Sequence, residues 1–424
     1  MHSKKTILFV MNTLGRAGAE RALIELMRVL DPEKYRIFLY VLIPRGELFA
    51  EVPEYVTVLN RKKDARSVLS TDGKIFVAGR LLKAALHGGS GIRALRRLAV
   101  RDGRPEQNGA ADRNGTEKSG AAPDSGVRTE KILRRMLADG TPALPRSFDL
   151  AVAYLEGPAT WYVAEKIRAE KKAAFLHVDY RRAGYTRDLD NGCYDAFDRI
   201  YAVSEEVRGN FLEMYPEHAR KTRLFYNIIN REHIRRRAEE PGGFSDGYKG
   251  IRLLTVGRLY YQKGYDTAIR TAAILKKQGY EFRWYALGEG EEEKHLKKLV
   301  RDYGLEETFF FAGAADNPYP YFRQADIYVC TSRYEGKSIV IEEAQALGKP
   351  VVAADCTGIA EQIESGKDGV IAGNSPEALA GAVGELIRHP ELREAYGRAA
   401  ADRKAGYLEG LADFLSLAGG ADLP

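Results

Sequence analysis

The chain is predicted to fold as an α/β protein of two domains, each a parallel sheet covered by helices on both faces. Its 424 residues are more than one hydrophobic core usually organises. Short Val/Ile-rich runs of strand length alternate with amphipathic helical patterns almost throughout, as expected of strands buried on both sides. A polar stretch, INREHIRRRAEEPGGFSDGYKG (229–250), separates two such series.

The first series reads TILFVMN (6–12), RIFLYVLI (36–43), TVLN (57–60), FDLAVAYL (148–155), KAAFLHV (172–178), RIYAVS (199–204) and TRLFYN (222–227). The second reads IRLLTVGR (251–258), FRWYALG (282–288), TFFFAG (308–313), DIYVCTS (326–332), PVVAAD (350–355) and DGVIAG (368–373). This gives an N-terminal domain over 1–228, a linker over 229–250 and a C-terminal domain over 251–405. Residues 406–424 form a helix and tail that can pack back toward the N-terminal domain. Both domains are Rossmann-like and face a cleft. Ligands of such sheets bind beyond the carboxyl ends of the strands, so the loops there carry function.

The opening MHSKKTILFVMNTLG imitates a signal peptide, but its apolar core from Ile7 to Met11 is short and runs into Asn12 and Thr13. It reads as a first strand. No apolar run approaches the roughly 20 residues that span a bilayer. Cys193, Cys330 and Cys356 lie far apart, without a C-x-x-C, so neither a disulfide framework nor a metal set is expected. A cytoplasmic protein, peripheral to a membrane at most, is the expectation.

The net charge is +6, and the segment from Leu86 to Ser147 holds 12 Lys/Arg against 7 Asp/Glu, or +5. The remainder is nearly neutral, which argues against nucleic acid as a partner. Residues 87–130 are Gly/Asp/Asn-rich without periodicity and read as a flexible insertion. Two basic amphipathic pieces flank its core. IRALRRLAVR (92–101) sets Ile92, Leu95 and Leu98 against arginines, and KILRRML (131–137) sets Ile132, Leu133, Met136 and Leu137 against Lys131, Arg134 and Arg135. Such helices either lie on the inner membrane surface or pack on the domain with their charges outward.

In TVGRLYYQKGYD (255–266) a strand ends at Gly257–Arg258 and a helix starts near Gly264. Arg258 and Lys263 therefore share a strand-to-helix loop, where two cations beside a helix N-terminus suit a diphosphate. Alternatively Arg258 pairs with an acid. In RYEGKSIVIEEAQALGKPVV (333–352) a helix is expected from Ser338 to Leu347. Gly336, Lys337 and Ser338 would supply unpaired amides as a second anion cradle. Glu335 stands before that helix, at the rim, where it can accept from sugar hydroxyls. Glu343 falls inside the buried face, and a buried carboxylate costs several kcal/mol unless something hydrogen-bonds it. That partner is either the protein or a ligand, and the two hydroxyls of a ribose would serve.

Glu, seven residues, Glu and Ala, with G-R-L and K-G upstream, resembles the family-4 retaining glycosyltransferases of GT-B fold. The matching positions are Glu335, Glu343, Ala344, Gly257, Arg258, Lys263 and Gly264. ALGEGEEE (286–293), ADIYVCTSRYEG (325–336) and GKPVVAAD (348–355) follow in the family's order. The resemblance implies a UDP- or GDP-sugar donor, with Arg258 and Lys263 on its diphosphate, Glu335 at the donor sugar and Glu343 on the ribose. It implies a glycan or lipid-linked acceptor and surface-polysaccharide synthesis. Family members commonly read Glu-Gly-Phe-Pro at the first Glu, whereas this chain reads Glu335-Gly336-Lys337-Ser338, which keeps the amides and alters the sugar pocket.

NTLGRAGAERAL (12–23) is similar to the family's glycine-rich N-terminal loop, with Gly15 and Gly18 permitting close approach. FLHVDY (175–180) ends a central strand with His177 and with Asp179, an acceptor-side candidate. His177 is either a hydrogen-bonding or acid/base group facing the reacting sugar, or a structural histidine. Glu156, at the tip of YLEGPATWYVAE (154–165), orients an acceptor hydroxyl or caps the next helix. Ser204 reads as an N-cap, and Asn227 as part of an interdomain turn. Asp188-x-Asp190 matches a metal–nucleotide pair of some glycosyltransferases, but it sits in the acceptor half. No metal and no cofactor are expected.

A nucleotide-sugar epimerase or phosphorylase, and a non-catalytic nucleotide-binding relative, share the same two-domain plan. A dinucleotide oxidoreductase fits poorly: Gly288-Glu289-Gly290 runs into Glu291, Glu292 and Glu293, a poor bed for a pyrophosphate, and the third glycine is missing.

Overall fold

Each apolar run becomes a strand of one of two all-parallel sheets. The computed structural model describes residues 4–68, 70–99, 125–403 and 406–419. The N-terminal sheet contains β1 (Lys5–Met11), β2 (Tyr35–Val41), β3 (Thr57–Val58), β4 (Ser147–Ala153), β5 (Arg168–Leu176), β6 (Arg199–Ala202) and β7 (Thr222–Leu224). The C-terminal sheet contains β8 (Ile251–Val256), β9 (Phe282–Leu287), β10 (Phe309–Gly313), β11 (Ile327–Cys330), β12 (Val351–Ala354) and β13 (Gly369–Ala372). Their spatial orders are β3-β2-β1-β4-β5-β6-β7 and β10-β9-β8-β11-β12-β13. In both, the order reverses beside the first strand, between β1 and β4 and between β8 and β11. Such switch points open a crevice at the carboxyl ends of the strands.

Helices α1 (Gly18–Val29), α2 (Thr71–Leu86), α3 (Ser90–Ala99), α4 (Ser125–Gly140), α5 (Pro158–Lys166), α6 (Arg187–Asp190) and α7 (Glu205–Met214) belong to the first half. The second half adds α8 (Arg231–Ala238), α9 (Tyr265–Lys277), α10 (Glu293–Asp302), α11 (Tyr319–Gln324), α12 (Ile339–Ala346), α13 (Pro376–Arg388) and α14 (Pro390–Ala401). The strands are apolar on both faces because helices cover both. Leu8 and Val10 face one core layer, and Ile7, Phe9 and Met11 the other.

The stretch 229–250, read as a linker, is partly a helix of the C-terminal domain. Ile234 of α8 is buried with Phe322 and Ala344, and Arg235 donates to the Ala346 carbonyl. Charge density hid this helix, because its two buried residues, Ile234 and Ala238, stand among four arginines.

The region 87–130, read as one flexible insertion, contains α3 and the start of α4; residues 100–124 lie outside the described residues. Ile132, Met136 and Leu137 of α4 are buried in the domain core, so this piece packs inward. Helix α3 is rotated the opposite way. Its Arg93 and Arg97 reach Asp139 of α4, at 3.4 and 2.9 Å, and its large aliphatic side chains face solvent.

Helix α15 (Leu408–Leu417) lies on the N-terminal sheet. Phe414 stacks on Phe9 at 6.2 Å and meets Phe175, Tyr201 and Phe225, while Asp413 accepts from the Tyr201 hydroxyl at 2.7 Å. Emptying such a site removes transfer energy and leaves a cavity. Phe414→Ala is expected to lower stability by about 3–5 kcal/mol, read as a lower denaturation midpoint of the N-terminal domain. An unchanged midpoint would show that α15 is not part of that domain's fold.

Candidate active site

The loops at the two switch points face each other. After β8, Leu259 is buried and anchors the loop, its amide donating to the Glu289 carbonyl at 2.9 Å. Arg258 beside it is exposed, 5.2 Å from the Tyr260 ring. Among the described residues no carboxylate lies within ion-pair distance of it. Gly264 starts α9 with φ +62°, and a Cβ there would sit 2.1 Å from the Thr331 carbonyl oxygen, so glycine is required on two counts. Gly288 and Gly290 pack against the backbone of Gly257 and Leu259, which explains that glycine pair without a pyrophosphate.

Lys263 is half-buried and its Nζ lies 2.6 Å from Oε1 of the buried Glu335, which also accepts from Ser332 Oγ at 2.6 Å. Burial works to lower the Lys263 ammonium, but the Glu335 carboxylate overrides it and holds the pKa above its ordinary value. Glu335 therefore sits inside the wall, clamped by a lysine and a serine, and not at the rim. The rest of the expected amide cradle is also partly committed. Ser338 gives its amide to Gln362 Oε1 at 2.8 Å. The Lys337 side chain pairs with Glu342 and lies over the Tyr226 ring. A Cβ on Gly336 would fall 1.8 Å from the His177 carbonyl oxygen, so this glycine admits the backbone of the other domain.

Glu343 is buried on α12. Its partner comes from 322 residues away: Arg21 Nη1 donates to Oε1 at 2.9 Å, as does the Tyr319 hydroxyl, also at 2.9 Å. Oε2 is buried with no hydrogen-bond partner among the described residues. Burial works against the Arg21 guanidinium, and Glu343 overrides it and raises its pKa. Glu343 lines a small cavity of about 40 Å³ with Arg21, Arg237 and Ile339.

A larger cavity of about 130 Å³ lies between the domains. One wall is Gly15, Ala17 and Glu20; the other is Gly257, Arg258 and Gly288. Helix α1 starts here without a side-chain cap at Ala17, leaving its first amides without intrahelical acceptors. Gly18 lies against Ile339, 3.4 Å from Cδ1 to a built Cβ, so it serves the domain contact. Glu20 accepts from Thr13 Oγ1 at 3.2 Å, and burial pushes its carboxyl up while Arg258 opposes. Glu20, Arg21, Ser332 and Tyr319 were not singled out from the sequence. The Glu20-Arg21 pair, one residue beyond Gly18, was the available signal for two of them.

His177 is buried against Tyr154, ring centroids 5.0 Å apart, and burial lowers its pKa to about 3, so the imidazole is neutral. Its Nε2 has no partner among the described residues. Glu156 neither faces a groove nor caps α5: it is buried and Oε2 accepts from the His177 amide at 3.0 Å. Asp179 accepts from the Arg182 amide and from Asn210, which makes it a turn residue. Asp190 is taken up by Trp161, Tyr180 and Tyr215, so the Asp-x-Asp pair is split between core and surface.

The chain is similar to known glycosyltransferases in sequence and in fold. Residues 245–403 match the family model described as "Glycosyl transferases group 1". The amylovoran biosynthesis glycosyltransferase AmsD of Erwinia amylovora is 34% identical over 161 residues, 38% of this chain and 45% of that protein. The N-acetylgalactosamine-N,N'-diacetylbacillosaminyl-diphospho-undecaprenol 4-alpha-N-acetylgalactosaminyltransferase of Campylobacter jejuni is 30% identical over 162 residues, 38% of this chain and 42% of that protein. The matched segment thus spans less than half the length of either relative. The crystal structure of Anabaena Alr3699/HepE with UDP-glucose superposes with a TM-score of 0.64 at 17% identity, covering 97% of this chain and 99% of that one. TarM of S. aureus gives 0.64 at 13%, covering 99% of both. The C-terminal domain belongs to the group 1 glycosyltransferases, and the two domains together have the GT-B fold.

Burial raises the Glu156 carboxyl from 4.5 to about 7. Between these values the folded chain holds a proton that the unfolded chain releases, so this contribution to stability is complete below pH 4.5 and is lost as pH rises through 7. The lowered His177 acts oppositely, favouring the fold as pH rises from about 3 to 6.5. Glu156→Gln keeps the acceptor and cannot ionise, and the His177 effect is common to both proteins. The variant is expected to gain up to about 3 kcal/mol on the wild type between pH 4.5 and 7.5 in urea titrations. Parallel stability curves would contradict the burial of Glu156.

Proposed function

We propose that the protein transfers a glycosyl group from a UDP- or GDP-sugar to a glycan or lipid-linked acceptor, with retention at the anomeric carbon, in surface-polysaccharide synthesis. The observation that carries this reading is the exposed, unneutralised Arg258 facing the uncapped start of α1 across a cavity of about 130 Å³. As the bond from the sugar to the diphosphate breaks, negative charge builds on the departing phosphate. A guanidinium and helix-end amides already in place stabilise that charge without reorganising. Burial and its raised pKa let Glu20 hold a proton more readily than an ordinary carboxyl, which lessens its repulsion of a phosphate.

The remaining groups fit the same donor. Glu343 keeps one acceptor oxygen open, which a ribose hydroxyl can fill. Lys263 lies one loop from Arg258 and can turn from Glu335 toward a phosphate. Glu335 and the neutral His177 then serve to orient the sugar; an imidazole held neutral is no general acid near pH 7. Arg258, Lys263 and the helix amides supply the charge that a metal would otherwise bring. The UDP-glucose complex of the Anabaena neighbour supports a uridine donor. The undecaprenol-linked substrate in the Campylobacter relative's name supports a lipid-linked acceptor. Separated, unpaired Cys193, Cys330 and Cys356 support a reducing, cytoplasmic setting.

Removing Lys263 or Glu335 strands a buried charge and costs about 3–5 kcal/mol of folding energy. Arg258 is exposed and gives the clean test. Arg258→Ala is expected to reduce UDP or GDP affinity by calorimetry, and sugar transfer, at least about tenfold, near 1.4 kcal/mol. Its melting temperature should not change. Wild-type affinity for both nucleotides in this variant would remove the donor-site assignment.

A further inference from the structure

The unit α2–α3–α4 replaces the single crossover helix that would join β3 to β4, and it presents an apolar face that the domain does not cover. On α2, Ile75, Leu82 and Leu86 recur at seven and four residues and are 69%, 65% and 79% exposed. On α3, Ile92 and Leu95 are 60% and 66% exposed. Positions so spaced share one side of a helix. Large aliphatics normally turn that side inward. Here the inward contacts of α3 are Ala94 and the Arg93 and Arg97 pairs to Asp139, which fix the aliphatics outward.

Cations border the apolar side chains. Lys74, Lys83 and Arg96 are exposed, and among the described residues none has a carboxylate within ion-pair distance. The only acid in α2 and α3 is Asp72, which is engaged by Arg45 and Arg66. An exposed aliphatic patch edged by unneutralised lysine and arginine has the chemistry that meets an anionic lipid surface: the aliphatics enter the acyl boundary and the cations meet the headgroups. A second copy of the same face would oppose like charges. The chain segment 100–124 offers Val100 as its one large aliphatic residue, too little to cover the patch.

The geometry points to the α2–α3 face as a docking surface for an anionic lipid bilayer. It orients the cleft relative to the membrane and is independent of the donor assignment, because its readout is binding alone. The test is sedimentation of the full chain with vesicles of mixed phosphatidylglycerol and phosphatidylcholine, against phosphatidylcholine alone. At least about tenfold stronger binding to the anionic vesicles, weakening with salt, is expected. Leu82→Gln/Leu86→Gln/Ile92→Gln should lose at least tenfold of that binding. Lys83→Glu/Arg96→Glu, which leaves the aliphatics in place, should do the same. Since all five positions are exposed, melting temperatures should stay within about 2 °C of the wild type. No binding to anionic vesicles, equal binding to both kinds, or variants that bind like the wild type would each overturn the proposal. So would a wild-type dimer that the triple variant converts to monomer, which would assign the face to a second copy.

Discussion

A carboxylate inside one domain needs a cation, and the cation comes from the other. Glu343 on α12 is buried, and Arg21 on α1 reaches it across the cleft at 2.9 Å. An unpaired charge at such a site costs several kcal/mol, so the pair constrains where α1 can sit against α12. That position sets the rest. Ile339 joins the core of the N-terminal domain, Gly18 lies against it, and the first turn of α1 is delivered opposite Arg258. The other side of the cleft is tied in the same manner. Glu361 accepts from the first two amides of α7, and Glu206 from the Gly358 amide.

Incomplete satisfaction occurs beside the groove between these ties as well as elsewhere. Buried polar atoms are nearly always hydrogen-bonded. Among the described residues, Oε2 of Glu343 and Oε2 of Glu47 are exceptions on element edges that line the interdomain cavities, while His177, Arg80, Arg135 and Arg252 hold others and line neither cavity. Two strands that begin a Rossmann-like sheet, β1 and β8, bring these edges together, because both switch points open toward the same space. The catalytic reading therefore rests on placement of whole sheets as much as on individual side chains.

Much of the fold was legible because its signals are local. A parallel strand buried on both faces needs a short continuous apolar run, and every such run formed a strand. Helix α12 also followed from its pattern, with Ser338 at its start and Leu347 at its end. Helix α8 was missed because its buried side consists of Ile234 and Ala238 alone, among four arginines. For helix α3 the pattern left two orientations open, since amphipathicity states that two faces differ and not which one is covered.

The sequence by itself determined the strands, the two-domain division, the strand-to-helix loop that exposes Arg258, and the burial of Glu343. These depend on periodicity and on residues within a few positions of each other. Only the tertiary structure decided what each buried polar group touches. Glu343 meets Arg21, Lys263 meets Glu335, Glu156 holds the His177 amide, and Gly336 admits the His177 backbone. The physical reason is distance along the chain: a charge or a glycine shows locally that a partner or close contact is needed, while its identity depends on how two sheets, folded separately, come to face each other.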